Sequence, residues 1–333
     1  MNAGFSVMSH AEMVALVNKR PGETKLGETI STLENYSLEQ LSNTPARFVL
    51  LGIPEDTGVM ANAGIAGSPT AWPAFLKSFL NIQDNEFLQG TELLLLGAFS
   101  FPRPDTDDVQ VLREATAHID EQVYPLIRDI VSLGKIPLVI GGGHNNAFPL
   151  IKGCAAALGQ GVNAINLDAH SDFRALEGRH SGNGFSYAFE QQFLNKYAML
   201  GLHEAYNSRA VLGKVSDNSR LLPLFWEDMF LRNKYSWQSG LEKALAFVAD
   251  RPFGVELDLD TIERALSSAM SPLGISATYA AAYLYKAGRH PQAMYLHLPE
   301  AVASRSDGHS DILTGKLLSY LLQSFIKGVK DRE

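Results

Sequence analysis

Seven short apolar runs alternate along the chain with longer segments in which hydrophobic residues recur at helical spacing. Each short run is almost continuously apolar, which is typical of strands buried on both faces of a parallel sheet. The longer segments have the pattern of amphipathic helices that cover such a sheet. We predict strands over 48–53, 92–99, 136–140, 162–167, 198–202, 253–259 and 293–298, and helices over 106–133, 146–158, 237–249, 275–287 and 312–328.

This alternation predicts an α/β fold: a doubly wound, mostly parallel sheet with helices on both faces, in three layers. Residues 1–45 are more polar and are interrupted by Pro21, Gly22 and Gly27. We therefore expect an N-terminal arm over 1–45, with a helix or two, and a single domain over 46–333. Ligands of such sheets bind beyond the carboxyl ends of the strands, which is where candidate residues are sought.

The composition of the chain argues against two classes of binding partner, nucleic acids and membranes. A net charge of −8 argues against non-specific binding of nucleic acid, which needs a basic surface. No apolar run approaches the ~20 residues of a membrane span, so we expect no membrane partner. The single cysteine, Cys154, excludes an intramolecular disulfide, and the first residues lack the pattern of a signal peptide. We therefore expect a cytoplasmic protein.

The first candidate motif follows the strand predicted over 136–140, where three glycines precede His144. Glycines allow a sharp turn and the close approach of other groups. Taken alone, the motif also fits a phosphate-binding turn or a tight turn with a surface histidine. It lacks the G-x-G-x-x-G spacing of a dinucleotide site and the Lys-Ser/Thr pair of a P-loop.

The second motif places Asp168, His170 and Asp172 at alternate positions after the strand predicted over 162–167. Alternate side chains of an extended segment point to the same side, so the three can converge. Two adjacent carboxylates without a cation would cost free energy through repulsion and desolvation. The alternative is a solvated loop in which the three residues only share a turn.

The third motif consists of Asp258 and Asp260, with Glu256 deeper on the same side of the strand. By itself, the Asp-x-Asp pair would fit a helix cap better than a metal site. Together, the three motifs offer two histidines and four carboxylates, a set that suits Mn²⁺ or related divalent ions.

The proposed metal centre holds two ions, whose positive charge would balance the four carboxylates. We expect two of the carboxylates to bridge the ions, since each carboxylate has several lone pairs. Such a pair of ions lowers the pKa of a shared water and supplies a hydroxide nucleophile. In the expected arrangement the bridging residues are Asp168 and Asp258, one ion is completed by His144 and Asp172, and the other by His170 and Asp260.

The order and spacing of Gly-Gly-Gly-His at 141–144, Asp-Ala-His-Ser-Asp at 168–172 and Asp-Leu-Asp at 258–260 resemble the ureohydrolase superfamily of arginase, agmatinase and formimidoylglutamase. The resemblance covers roughly residues 46–328. It implies an arginase-like catalytic domain, two Mn²⁺ ions per subunit, and attack of a bridging hydroxide on a guanidino or formimidoyl carbon. It also implies a homo-oligomer, a trimer or a hexamer, acting on a small amidine or guanidino compound.

Two positions resemble formimidoylglutamase more than the other members. Arginases and agmatinases usually have Asp where this chain has Gly143, and arginases have a proton-shuttling His where this chain has Phe185. The resemblance thus implies hydrolysis of N-formimidoyl-L-glutamate to L-glutamate and formamide, a step of histidine degradation. The expected catalytic residues are Asp172, Glu300 and His180, and the expected substrate-binding residues are Arg174, Ser181, Asn183 and Glu300.

Among these residues, Glu300 is expected to hold the substrate amidinium. Arg174 is expected to pair with a substrate carboxylate, with Arg179 as a second candidate, because a guanidinium binds a carboxylate through two parallel hydrogen bonds.

Three alternatives stay open. One is a guanidino hydrolase of the same superfamily that releases urea. Another uses the same metal site on a different amide or amidine, such as an acetylated polyamine. The third, of a different class, is a non-catalytic regulator or scaffold, which the intact set of six predicted ligands disfavours.

Overall fold

The computed structural model describes residues 4–332. In this part of the chain nine strands form one sheet, in the order β1-β3-β2-β4-β9-β8-β5-β6-β7. Strand β1 is antiparallel to β3, and the other pairs are parallel. The strands are β1 (Phe5–Val7), β2 (Phe48–Gly52), β3 (Leu93–Phe99), β4 (Ile136–Ile140), β5 (Val162–Leu167), β6 (Leu194–Leu202), β7 (Leu221–Phe225), β8 (Phe253–Leu257) and β9 (Ala293–Leu298).

Helices cover both faces of the sheet. One core contains residues of α1, α4 and α9 to α12, and the other contains residues of α2 and α5 to α8. The helices are α1 (His10–Ala15), α2 (Leu38–Asn43), α3 (Thr57–Met60), α4 (Ala71–Phe79), α5 (Val109–Ser132), α6 (Ala147–Leu158), α7 (Gly184–Glu190), α8 (Arg209–Ser216), α9 (Trp226–Phe230), α10 (Trp237–Val248), α11 (Ala277–Arg289) and α12 (Thr314–Lys330).

The strands are apolar on both sides because each side faces a core. In β2, Phe48 and Leu50 belong to one core, whereas Val49 and Leu51 belong to the other. All four side chains are fully buried. The predicted fold class is therefore confirmed, and each predicted strand and helix is present with small shifts of its ends.

Two edge strands were not predicted. Strand β7 contains Pro223, which lacks a backbone N–H and is tolerated at a sheet edge. Strand β1 lies within the predicted arm and pairs with β3 at the opposite edge. Residues 1–45 thus supply a strand as well as the expected helices α1 and α2. The boundary between arm and domain stays a prediction.

The topology brings four strand ends together. Strands β4, β9, β8 and β5 are neighbours in the centre of the sheet, although they are far apart along the chain. All four are parallel, so their carboxyl ends meet at one edge. Between residues 4 and 332, none of the helices has the length and apolar character needed to cross a membrane.

Candidate metal centre

The glycine-rich turn after β4 delivers His144 to the sheet edge. Gly141 and Gly142 have φ values of 85° and 78°, in the left-handed region that favours glycine. A Cβ on Gly142 would also lie 2.8 Å from the carbonyl oxygen of Ile53. The turn leads into a short 3₁₀ helix over His144–Asn146, and the His144 side chain is fully buried.

His144 contacts three carboxylates from two other strand ends. Its Nδ1 lies 2.9 Å from Oδ2 of both Asp258 and Asp172. The same nitrogen lies 3.3 Å from Asp168 Oδ2. One ligand atom from each of these four residues lies within 4.8 Å of the others. The structure thus brings together the residues predicted around the first ion.

The remaining two predicted ligands lie beside this group. His170 Nδ1 is 3.6 Å from Asp168 Oδ1 and 3.8 Å from Asp260 Oδ2. Asp168 therefore contacts both histidines, which is the position required of a bridging ligand. Asp258 accepts a hydrogen bond of 2.7 Å from the backbone N–H of Asp260, so these two are also adjacent. The bridging roles stay predictions.

The electrostatics of the cluster fit divalent cations. Burial raises the pKa of Asp258 and Asp260, and their mutual repulsion with neighbouring carboxylates adds to the effect. Burial would lower the pKa of His170, but the carboxylates around it, Asp168 foremost, outweigh burial and raise the value to about 10. Without a bound cation, protons would therefore neutralise part of the negative charge of the carboxylates. Two divalent ions would displace these protons.

A cleft of about 530 Å³ opens onto the cluster. Its floor consists of candidate metal ligands together with Glu300, and its rim comes from loops that follow the strands. The floor residues are His170, Asp172, Asp258, Asp260 and Glu300, and the rim residues include Val59, Asn62, Arg174, Ser181, Tyr206, Asn207, Ser208, Val211 and Ser268.

Glu300, which follows β9, is buried in the floor with one oxygen free. Its Oε1 accepts a hydrogen bond of 2.6 Å from the backbone N–H of His144. Its Oε2 has no hydrogen-bond partner among residues 4–332. Burial, followed by repulsion from Asp260, raises the pKa of Glu300 to about 8. A cationic group in the cleft would stabilise the ionised form and could donate to the free oxygen.

Two floor residues have strained backbones. Asp172 and Glu300 have φ values of 45° and 62°, in the left-handed region that residues with a Cβ seldom adopt. Such strain persists only where the surrounding structure enforces it, and it concentrates at functional sites.

At the rim, two of the predicted substrate-binding residues reach the cleft. Arg174 is about half exposed, and its Nη1 donates to Asn62 Oδ1 at 2.5 Å. Its Nη2 lies 3.3 Å from Glu177 Oε1. The hydroxyl of Ser181 accepts a hydrogen bond of 3.1 Å from Asn62 Nδ2. Asn62 thus orients both Arg174 and Ser181. The sequence analysis did not predict it, because it follows a short helix and belongs to no motif.

Neither His180 nor Asn183 lines the cleft in the described chain, and their predicted roles stay predictions. His180 is buried; its Nδ1 accepts from the backbone N–H of Gly182 at 3.1 Å, and its Nε2 lies 3.1 Å from Glu177 Oε1. Asn183 Oδ1 accepts from the backbone N–H of His180, and its amide donates to the carbonyl of Gly178. Both side chains bond within the loop that carries Arg174.

Arg179 does not line the cleft in the described chain either. Its Nε donates to Asp120 Oδ2 at 2.8 Å, and its Nη1 donates to Asn183 Oδ1 at 2.6 Å. The guanidinium is buried and lies over the rings of Phe148 and Tyr187. Arg179 is thus a buried cation with a structural role. The expectation that it is a second candidate for binding a substrate carboxylate is therefore wrong.

Phe185 packs behind His144. Its ring stacks on Tyr197 with centroids 4.2 Å apart and meets the edge of His144 at 5.2 Å. The residue is fully buried, so it supports the imidazole from within the protein.

Glu55 is a supporting residue that the sequence motifs did not include. It is buried and accepts hydrogen bonds from the backbone N–H of Gly143 and the side chains of Asn145 and Asn146. Burial raises its pKa, and these donors act in the opposite direction. Glu55 therefore holds the turn that carries His144. It follows the end of β2, so the search at strand ends could have found it.

Comparison with known proteins identifies the family. Residues 46–301 match the arginase family. The chain belongs to this family. The predicted resemblance to ureohydrolases, with formimidoylglutamase as the most similar type, is therefore confirmed.

Arginase-family relatives agree with this assignment. Formimidoylglutamase from Salmonella paratyphi B is 32% identical over 198 residues, which cover 57% of this chain and 58% of the relative. The match thus spans less than two thirds of that relative's length. Formimidoylglutamase from Salmonella arizonae is 32% identical over 194 residues, which cover 56% of each chain.

Three solved structures have the same fold as this chain. A Trypanosoma cruzi formiminoglutamase crystallised with Mn²⁺ has a TM-score of 0.74 at 21% identity, covering 93% of this chain and 100% of that one. The Bacillus subtilis formimidoylglutamase has a TM-score of 0.79 at 17% identity, covering 95% of each. The proclavaminate amidino hydrolase of Streptomyces clavuligerus has a TM-score of 0.66 at 15% identity, covering 86% of this chain and 94% of that one.

Proposed function

We propose that this protein uses two Mn²⁺ ions per subunit to hydrolyse N-formimidoyl-L-glutamate to L-glutamate and formamide. The observation that carries the proposal is the convergence of candidate ligands from three strand ends on one cleft, with four of them and Glu300 at its floor and Arg174 at its rim. The formimidoylglutamase relatives support the substrate, and the Mn²⁺ of the T. cruzi protein supports the metal.

Glu300 would orient the amidine. Its Oε2 has no hydrogen-bond partner within residues 4–332, so an N–H of the planar amidinium can supply the missing hydrogen bond. Because Glu300 is buried, its charge is best stabilised by a cation in direct contact, and a protonated amidine is such a cation. The reacting carbon would then lie over the metal ligands.

Arg174 would bind a carboxylate of the glutamate portion. Its guanidinium is half exposed at the rim, where it is oriented by Asn62 and Glu177. A guanidinium can form two parallel hydrogen bonds with a carboxylate, which favours an amino-acid substrate with an additional carboxylate. Ser181 lies beside the same asparagine and offers a hydroxyl to the substrate.

The reaction adds water across the amidine carbon. When bound, the two ions would supply an activated water and stabilise negative charge that develops during attack. The bond between the formimidoyl carbon and the glutamate nitrogen then breaks, and that nitrogen takes up a proton. Asp172 is the proposed carrier of this proton, because it belongs to both the ligand cluster and the cleft floor.

The test is a product assay with Mn²⁺-loaded protein and four separate compounds: N-formimidoyl-L-glutamate, arginine, agmatine and guanidinobutyrate. We expect formamide and glutamate from the first compound and no urea from the others. Urea from a guanidino compound, without formamide release, would replace the proposal with the guanidino hydrolase alternative. A protein that binds two ions and turns over none of the four would support a different amide or amidine substrate.

We also propose that the protein acts in histidine degradation in the cytoplasm as a homo-oligomer, a trimer or a hexamer. These properties follow from the family resemblance. Sedimentation velocity of the purified protein tests the assembly, and a monomer would contradict it.

A further inference from the structure

A second buried cluster lies behind His144, on the side of the imidazole that faces away from the metal ligands. Its centre is Glu256 of β8, which is opposite His297 of β9 in the sheet. Glu256 Oε1 accepts a hydrogen bond of 2.6 Å from the hydroxyl of Tyr295. Its Oε2 lies 2.7 Å from His297 Nδ1. All three side chains are fully buried.

The neighbours of Glu256 can donate hydrogen bonds to it, because carboxylate oxygens accept hydrogen bonds. His297 Nε2 lies 3.3 Å from the carbonyl oxygen of Gly141, so both ring nitrogens of His297 face acceptors. The ring of His297 therefore connects Glu256 to the glycine-rich turn.

The same carboxylate faces His144. Glu256 Oε2 lies 3.5 Å from His144 Nε2, a buried atom that has no hydrogen-bond partner in the rest of the described chain. A slight rotation of the imidazole would complete this bond. With the proton on Nε2, the lone pair of His144 is on Nδ1, the atom that lies 2.9 Å from Asp172 and Asp258.

We propose that Glu256, held in place by His297 and Tyr295, is a positioning residue that sets the tautomer and ring orientation of His144 for metal binding. The proposal rests on the metal centre described under the proposed function. A carboxylate behind a ligating histidine fixes the tautomer and makes the ligand nitrogen more basic. In this protein the arrangement extends over two neighbouring strands, so sheet register sets the histidine geometry.

A third ion is the competing interpretation. His144, Glu256 and His297 each have a ligand atom within 4.8 Å of the others. However, 2.7 Å between His297 Nδ1 and Glu256 Oε2 is a hydrogen-bond distance, and an Nδ1 that donates this bond has no lone pair for an ion. A third ion would also require His144 to coordinate through both ring nitrogens at once.

The test compares Mn²⁺ binding by metal-free wild-type protein and the Glu256→Gln variant, with free Mn²⁺ followed by electron paramagnetic resonance. We expect two ions per subunit in both, and an affinity for one of them about 10- to 100-fold weaker in the variant. Circular dichroism of the metal-free proteins checks the fold. Thr116→Val is the matched control, because Thr116 is buried and its hydroxyl donates to the carbonyl of Leu112 within α5. The Mn²⁺ affinity of this variant should equal that of wild type.

Equal Mn²⁺ affinity in a folded Glu256→Gln variant would overturn the proposal. Three ions in wild type and two in the variant would overturn it as well, since Glu256 would then be a ligand. If Glu256→Gln does not fold, Tyr295→Phe removes one donor to the carboxylate; we expect about a 2- to 10-fold loss of affinity, and no loss would overturn the proposal.

Formamide release by wild-type protein is measured in a separate assay. A failed substrate assay would therefore refute the proposed reaction without affecting the comparison of affinities. Wild-type protein that binds no Mn²⁺ would refute both proposals.

Discussion

The floor and the rim of the cleft differ in how they are built. The floor residues follow central strands and are mostly buried, and their contacts run between strand ends. The rim residues lie in loops and short helices. The key cation, Arg174, is half exposed and is held by Asn62 and Glu177. A rigid sheet thus supports the proposed chemistry, whereas loops supply the groups that would select the substrate.

This difference predicts two kinds of mutational effect. Changes in the floor should remove metal binding and turnover together. Changes at the rim should weaken substrate binding and leave the metal centre intact, because interactions made equally in ground state and transition state affect KM alone.

The largest expected effect is that of Asp258→Asn in the floor. The amide keeps the shape of the side chain but removes the charge beside His144, so we expect loss of bound Mn²⁺ and turnover below detection. Metal content after dialysis and formamide release measure these effects. Asp250→Asn is the control, since Asp250 precedes the same strand at its opposite end and pairs with Lys196. A variant that retains both ions and wild-type turnover would refute the assignment of Asp258.

The next effect is that of Arg174→Met at the rim. Charge-assisted hydrogen bonds contribute about 1.5–3 kcal/mol, so kcat/KM for N-formimidoyl-L-glutamate should fall about 10- to 100-fold through KM. Steady-state kinetics and Mn²⁺ content provide the measurement. Arg128→Met is the control, because within residues 4–332 Arg128 pairs only with the adjacent Asp129 on α5. An equal fall in kcat, or a loss of Mn²⁺, would contradict the division between floor and rim.

His180 lies beneath the rim, and we expect His180→Gln to change the pH dependence of stability rather than turnover. Burial lowers the pKa of His180 to about 4 in the folded protein, from 6.5. The unfolded chain therefore binds a proton between these values while the folded protein does not. The stabilisation is complete above pH ~6.5 and is lost as pH falls through about 4, with a slope of at most ~1.4 kcal/mol per pH unit.

Urea unfolding of metal-free wild type and His180→Gln from pH 7.5 to 4.5 measures this effect. The difference in unfolding free energy should shrink as the pH falls. A constant difference would contradict the expected titration. Loss of turnover at pH 7.5 by a folded variant would support the predicted catalytic role of His180.

The smallest expected effect is that of Glu177→Gln. This carboxylate orients Arg174 from a partly exposed position, and exposed ion pairs contribute about 0.2–1 kcal/mol. We expect KM to rise by at most about fivefold, with kcat unchanged. Glu114→Gln, which alters an exposed glutamate bonded to Gln110 on α5, is the matched control. A larger rise in KM than that of Arg174→Met would show that Glu177 acts on the substrate itself.

The two regions also differ in what could be predicted from sequence. The floor was found because strand alternation and strand ends are local patterns: Asp168, His170 and Asp172 are spaced for one side of an extended segment. At the rim, Asn62 contacts Arg174 across 112 positions of the chain, and no local pattern encodes that contact. His180 and Asn183 carried a family motif, yet their side chains are used within their own loop.

The sequence by itself determined the fold class, the six candidate ligands and the family, because hydrophobic periodicity and residue spacing are properties of short segments. Only the tertiary structure decided which polar residues face the cleft, that β1 and β7 complete the sheet, and that Glu256 lies behind His144. These features depend on strand order and on the packing of distant loops. Both depend on how the whole chain buries its apolar surface. A buried polar group then forms its hydrogen bond with whichever partner the fold places beside it.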